Sequence, residues 1–342
     1  MKTGESRLIE VLVVGCGHIA TTFHIPAWTR SPHSRVSGCV DVNPECLKNC
    51  QKEIDGLLVG SDLEAVIKQG EFDVVHVCSP NTYHFEHSKT ALENGCHVLV
   101  EKPMCLSQCE VEELGELALR YDRRLMCGQH QRFRQCSIRC KQLIDSGKIG
   151  VPFRVEAVAR NSNGVPKKIS FLRRDLAGGG PGWDLGSHLL DASMWFLGCF
   201  DIQSSHSYSS SHLLEEEKKK TPNLKQADIE DFLAAQLVLE NGAFISLETS
   251  YLCNSGSDEF YCAIHGSEGT LIWPDLKVVT NLGGETESIE VEDHPWASDG
   301  QVTEFLDWIE GRREDSPIPL DQTTKVVKAL EKLYASCDSL KK

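Results

Sequence analysis

No apolar run in this chain approaches the roughly 20 residues that a bilayer-spanning helix needs. Met1–Glu10 is polar and mixed in charge, and the short apolar run Val11–Val14 is broken at once by Gly15. That pattern is no signal peptide, so a cytoplasmic protein is expected. Positive charge is in deficit: 35 Lys and Arg face 50 Asp and Glu, a formal net charge of −15. Such a surface repels phosphate backbones and anionic lipids, so no nucleic acid and no membrane is expected as a partner. An anionic small ligand stays open, because local charge can differ from the total. No Cys-x-x-Cys pair occurs among the fifteen cysteines. Three pairs sit four apart, Cys46 and Cys50, Cys105 and Cys109, Cys136 and Cys140, a spacing that shares a helix face. An odd, scattered set reads as small buried hydrophobes in a reducing compartment, with no metal site expected. What remains is an ordinary globular balance, 40% hydrophobic and 25% charged over 342 residues, enough for two domains.

The first part of the chain alternates. Leu8–Val14, Val36–Val42, Val74–Cys78 and His97–Val100 read as buried strands, with helical spacing at Ala20–Thr29, Glu45–Glu53, Leu63–Lys68 and His84–Glu93. Alternation of this kind predicts a parallel sheet flanked by helices. Ser107–Tyr121 continues it, with Ser107 and Glu110 spaced as a capping box. The character changes near residue 125. Phe153–Arg160, Leu233–Glu240 and Ala243–Ser250 alternate like half-buried strands, and Asn241-Gly242 between the last two is a hairpin signal. Phe260–His265 and Thr270–Trp273 flank the turn Gly266–Gly269. Residues 1–125 and 126–342 are therefore read as two domains, the second α+β. Ser204–Asp228, Ser-rich and carrying the charge run Glu215–Lys220, reads as a surface loop. Val302–Glu310 and Thr323–Ser336 read as helices.

Val-Leu-Val-Val runs into Gly15-Cys16-Gly17-His18-Ile19-Ala20, a Gly-x-Gly-x-x-Ala between a strand and a helix. Gly15 permits the tight turn, Gly17 lets the backbone approach a pyrophosphate, and Ala20 lets helix and strand pack closely. The first helical turn, with His18 and Ile19, offers free N–H groups to phosphate, so the His18 backbone matters more than its ring. Asp41 lies about 25 residues after Gly15, where a carboxylate meets the adenosine ribose hydroxyls; a turn or helix-cap role is the alternative. Asp41 would repel a 2′-phosphate, and Val42, Asn43 and Pro44 supply no cation. NAD is favoured over NADP.

Three further segments carry a resemblance: Ser79-Pro80-Asn81-Thr82-Tyr83-His84, Glu101-Lys102-Pro103, and Gly178-Gly179-Gly180 running into Asp184-Leu185-Gly186-Ser187-His188. With the glycine cradle, in this order and spacing, the chain resembles the Gfo/Idh/MocA oxidoreductases over nearly its whole length. The resemblance implies an α/β Rossmann domain followed by an α+β domain with a large, mostly antiparallel sheet. It also implies a last helix near the first domain, a homodimer or homotetramer, and a cis Pro103. Ser79, Asn81, His84, Glu101 and Lys102 would line the nicotinamide side, and the glycine run would let backbone approach substrate.

Oxidising an alcohol removes a hydride from carbon and a proton from oxygen, so the protein must supply a base and a group that stabilises alkoxide. Asp184 and His188, four apart, share a helix face. Histidine exchanges protons near neutrality, so His188 is expected to be the base, with Asp184 orienting the hydroxyl or supporting the proton relay. Lys102 could bond both the nicotinamide ribose and the reacting oxygen. Arg173, Arg174, His130 and Arg132 are left between substrate contact and core or solvated roles. The expected activity is hydride transfer between NAD and a secondary hydroxyl or ketone of a sugar, polyol or sugar derivative. A redox-neutral NAD-dependent glycosidase and a nonenzymatic dinucleotide-binding regulator are the alternatives.

Overall fold

A computed structural model of the chain describes residues 7–162, 164–280, 284, 286–293 and 297–339. The chain divides into two compact units, Met1–His130 with Trp296–Thr324, and Gln131–Pro295 with Lys325–Lys342. Among the described residues no helix is long and apolar enough to cross a membrane.

The first unit is built on six parallel strands: β1 (Ile9–Val14), β2 (Ser34–Val40), β3 (Leu58–Gly60), β4 (Val74–Val77), β5 (His97–Glu101) and β6 (Leu125–Gly128). Their order is β3-β2-β1-β4-β5-β6. The order reverses between β1 and β4, the switch point where doubly wound sheets bind ligands at the carboxyl ends of their strands. Central strands of such a sheet are covered on both faces and read as unbroken apolar runs; Val11–Val13 and Val98–Val100 are fully buried. The predicted strands and helices of this half are present. The short β3 and β6 carry too little pattern to be found by periodicity. Ser107 and Glu110 form the predicted capping box, each side chain accepting the other's backbone N–H. The helix Ser298–Ile309 returns to this unit, setting Phe305 edge-on to Trp28 with ring centres 6.4 Å apart.

Among the described residues, the second unit holds nine strands: β7 (Pro152–Arg160), β8 (Ile202–Ser210), β9 (Phe232–Leu239), β10 (Phe244–Ser250), β11 (Glu259–Gly266), β12 (Gly269–Trp273), β13 (Lys277–Thr280), β14 (Thr286–Ser288) and β15 (Cys337–Ser339). They form one sheet in the order β14-β13-β12-β11-β7-β10-β9-β8-β15. Pairing is antiparallel except at β7–β10 and β8–β15. The Asn241-Gly242 hairpin is there, with Gly242 at φ +81° and Asn241 Oδ1 accepting the Ala243 N–H at 3.1 Å. The long helix Pro181–Leu197 lies on this sheet against β7 and β10, and most of its residues are buried.

One segment differs from its sequence reading. Ser204–Asp228 is not a loop: Ser204–Ser210 belongs to β8, and His212–Lys220 is a helix. The serines conceal a strand because its stability comes from pairing with β9 and β15 rather than from apolar alternation. The charge run is helical because Glu215, Glu216 and Glu217 reach Lys218, Lys219 and Lys220 three residues on, at 2.6–2.7 Å.

Candidate cofactor and catalytic site

At the switch point, Gly15 follows β1 with φ +84° and donates its N–H to Val40 O at 2.8 Å. A Cβ there would stand 2.6 Å from Ser79 N and 2.7 Å from the Cys78 carbonyl carbon. The glycine is thus required twice, by its left-handed backbone and by the close passage of the chain after β4. The helix opens at His18, and Ala20 is fully buried beneath its first turn. The His18 ring is exposed and turned along its own helix, Nδ1 3.0 Å from Thr22 Oγ1. Ile19 is half-buried.

Asp41 stands one residue beyond β2. Its Oδ2 accepts the Cys16 N–H and its Oδ1 accepts the Asn43 N–H, both at 2.7 Å. The cap of the next helix is Asn43, which accepts Glu45 N–H at 3.0 Å. Asp41 is therefore not the helix cap. It fixes the glycine turn and still has a lone pair on each oxygen. A positive-φ turn, helix-start amides and an anchored carboxylate together fit the phosphates and the adenosine ribose of a dinucleotide.

A second group lies at the ends of β4 and β5. The buried His84 ring ties the two loops together, Nδ1 2.8 Å from Pro103 O and Nε2 2.8 Å from Ser79 O. Burial pulls His84 below the usual imidazole range, against those two carbonyls, which favour the charged ring. Ser79 Oγ meets His87 Nδ1 at 2.9 Å, and burial holds His87 down at about 4. Asn81 opens the single turn Asn81–Tyr83 before the His84–Glu93 helix. Glu101 ends β5 and is 9% exposed; its Oε2 accepts the Lys102 N–H at 3.1 Å. Its carboxyl is nevertheless well below the ordinary carboxylate range. Burial alone would raise it, and the neighbouring His24 with its hydrogen bond, together with His130 and Lys102, outweighs burial. Lys102 is half-buried, and the Lys102–Pro103 bond is cis, as the resemblance implied.

In the second unit, Asp184 and His188 lie on the Pro181–Leu197 helix. Asp184 Oδ2 accepts the Tyr251 hydroxyl at 2.9 Å. His188 is 8% exposed, its ring edge-on to Phe260 at 6.4 Å between centres. Ahead of them the glycine run presses on its own unit. A Cβ on Gly180 would lie 2.1 Å from Glu230 O, and one on Gly179 within 2.7 Å of Trp183 and Tyr334. Glu230 accepts Gly180 N–H at 2.8 Å and the Tyr334 hydroxyl, and burial raises its carboxyl above the usual range against those bonds. Sequence reasoning missed Tyr251, Glu230 and Tyr334.

The four residues left open now have surroundings. Arg132 is buried, bonded to both oxygens of Asp191 at 2.8 and 2.6 Å and stacked near Trp195 and Phe200. His130 is buried near Glu101. Arg173 pairs with Asp175, and Arg174 reaches Glu230 at 3.6 Å. The cysteines form no disulfide among the described residues. Cys16, Cys39 and Cys50 pack together beneath the cradle, sulfurs within 4.8 Å of one another.

The first unit matches the model of the GFO/IDH/MocA family, described as an oxidoreductase family with an NAD-binding Rossmann fold, over residues 9–129. The model of that family's C-terminal domain matches residues 138–272. D-Glucoside 3-dehydrogenase of Escherichia coli K12 is 30% identical over 255 residues, covering 73% of this chain and 72% of that one. An aldose-aldose oxidoreductase from Caulobacter crescentus, solved with glycerol, superposes with a TM-score of 0.81 at 24% identity, covering 96% of this chain and 97% of that one. Levoglucosan dehydrogenase, solved with NADH and levoglucosan, gives 0.83 at 17% identity with the same coverage. At those identities the two structures establish likeness of fold.

Proposed function

The chain belongs to the GFO/IDH/MocA oxidoreductases, and on that premise we propose that it is a dehydrogenase using NAD in preference to NADP. Its substrate is a secondary hydroxyl or ketone of a sugar, polyol or sugar derivative. The observation that carries the cofactor choice is Asp41, whose anchored carboxylate accepts from ribose hydroxyls and repels a 2′-phosphate. The first unit is the dinucleotide domain and the second the substrate domain.

The bound nicotinamide supplies the hydride acceptor or donor. The remaining work falls to side chains. His188 takes the hydroxyl proton in oxidation and returns it in reduction, a role suited to an imidazole. Asp184, steadied by Tyr251, accepts from the substrate hydroxyl and orients it. Lys102 places positive charge where alkoxide develops, the term that preorganised electrostatics serves best. Ser79, Asn81, His84 and Glu101 shape the wall beside it. Two separate observations support this set: in the first unit the Lys102 N–H is held by Glu101, and in the second Asp184 and His188 lie one helical turn apart.

The test is nicotinamide reduction with NAD and a panel of inositols, free sugars, glycosides and nucleotide sugars, repeated with NADP. Turnover with one substrate class and NAD establishes the reading. Product formed with no net NADH would replace it with the redox-neutral cleavage. Tight NAD binding with no turnover of any kind would replace it with a regulator.

A further inference from the structure

The helix that carries the cradle has an irregularity just past its first turn. Residues Ala20–His24 form a π turn before Ile25–Arg30 resumes α-helical winding. A π turn takes up one extra residue, which at 3.6 residues per turn swings the later side chains by about 100°. Thr21 and Thr22 stay exposed, while His24 is 2% exposed. There its Nε2 stands 2.6 Å from Glu101 Oε1. The other oxygen of the same carboxylate holds the Lys102 backbone N–H at 3.1 Å. One buried carboxylate thus joins the cradle helix to the lysine turn. Gly128 leaves it room, since a Cβ there would come within 3.3 Å of Glu101 Oε1.

A metal site is the competing explanation, because ligand atoms of His24, His76 and Cys78 lie within 4.8 Å of one another. The tautomer of His76 excludes it. The Trp28 indole N–H, which can only donate, points at His76 Nδ1 at 2.8 Å. Burial keeps this ring neutral, so Nδ1 carries the occupied lone pair and Nε2 the proton. A ligating imidazole needs the reverse, a lone pair turned to the metal and an N–H turned outward to an acceptor. His76 instead backs the His24 ring, centres 4.4 Å apart and planes at 62°. The cluster holds His24 against Glu101.

We propose that His24 is a positioning residue for Lys102, acting through Glu101, so that the helix gripping the dinucleotide phosphates also aims the lysine. This rests on the reading of Lys102 as a group that faces the reacting oxygen. A buried carboxylate oxygen that loses its partner is costly. Removing the imidazole leaves Glu101 Oε1 without His24, so the carboxylate turns towards its remaining neighbours and releases the Lys102 peptide, while the cradle amides and Asp41 are left intact.

The experiment compares wild type, His24→Leu and His24→Gln in the full chain. Small displacements of a catalytic group are worth up to about a hundredfold. The expected result is a kcat loss on the order of tenfold to a hundredfold for His24→Leu with NAD affinity nearly unchanged, and partial recovery in His24→Gln, which keeps a donor. A second readout needs no turnover. After reductive ¹³C-methylation, the Lys102 resonance, assigned by its loss in Lys102→Arg, is expected to shift on NAD addition in wild type and not in His24→Leu. Should His24→Leu fail to fold, His24→Asn, polar but too short to reach Glu101, takes its place. An unchanged kcat overturns the proposal, as does a matched fall in kcat, NAD affinity and Tm that His24→Gln does not relieve. If wild type turns over no substrate, the Lys102 role falls, and the resonance alone decides whether the cradle and the lysine turn are linked.

Discussion

Tyr251, buried one residue past β10, donates its hydroxyl to Asp184 Oδ2 at 2.9 Å across 67 residues of sequence. The bond fixes the direction of the carboxylate proposed to accept from the substrate hydroxyl. A hydrogen bond to a charged group is worth about 1.5–3 kcal/mol. Tyr251→Phe is therefore expected to lower kcat by roughly tenfold to a hundredfold, with NAD affinity held. A loss confined to thermal stability would make Tyr251 a core residue and nothing more.

His188→Ala removes the proposed base. Turnover should fall by about 10²–10⁴, and the NAD dissociation constant should stay close to wild type. Parallel loss of binding and turnover would point to a structural histidine.

Asp41→Asn keeps an acceptor for the Cys16 N–H and discards the charge. The ratio of NADP to NAD affinity should rise on the order of tenfold. Asp41→Ala should in addition loosen the turn itself, weakening NAD more than NADP. Equal weakening of both cofactors by both variants would show that the carboxylate serves the turn alone.

Gly15 and Gly147 both have positive φ, at +84° and +77°, yet only Gly15 is crowded. Gly147→Ala should lower stability by about 1 kcal/mol, the strain of a left-handed alanine. Gly15→Ala adds a backbone clash at 2.6 Å. It should lower Tm several times further and abolish NAD binding. Similar melting curves for the two would mean that the β4 loop yields freely.

Five buried or half-buried imidazoles are shifted the same way. Burial pulls His76, His84 and His265 down, and His87 and His97 to about 4. His97 Nδ1 also accepts the Arg124 N–H at 2.9 Å, a bond that protonation there would break. The unfolded chain binds protons at these sites near the ordinary value of about 6.5, and the folded chain does not. Their stability is complete above that pH and is lost as pH falls from it towards about 4. Glu101, also depressed, adds a further loss below about 4.3, the ordinary glutamate value. Tm measured across this range should fall, and His97→Gln should flatten the slope. An identical slope in the variant would sink the account.

The glycine turn was legible because Gly15 and Ala20 act through local backbone shape, and Asp41 because it reaches back to the same turn. The cis bond at Pro103 and the shared helix of Asp184 and His188 were legible from short local motifs. Tyr251, Glu230 and His24 were not, since each acts on a partner 50 to 77 residues away in sequence, and no spacing rule links such positions. The glycine run was legible as a need for close approach, but its neighbour in the described structure is Glu230 and Tyr334. β8 was hidden by its serines, whose place in the sheet is decided by β9 and β15 rather than by their own character.

The return of Ser298–Ile309 to the first unit has a consequence during synthesis. Some 277 positions of sequence separate Trp28 from Phe305, the ring that meets it edge-on. A nascent chain carrying only the opening sheet lacks that cover, and a truncation ahead of residue 297 lacks it permanently. The first unit can be finished only after the second has been synthesised, so the apolar face of the emerging amino-terminal sheet stays uncovered for most of translation.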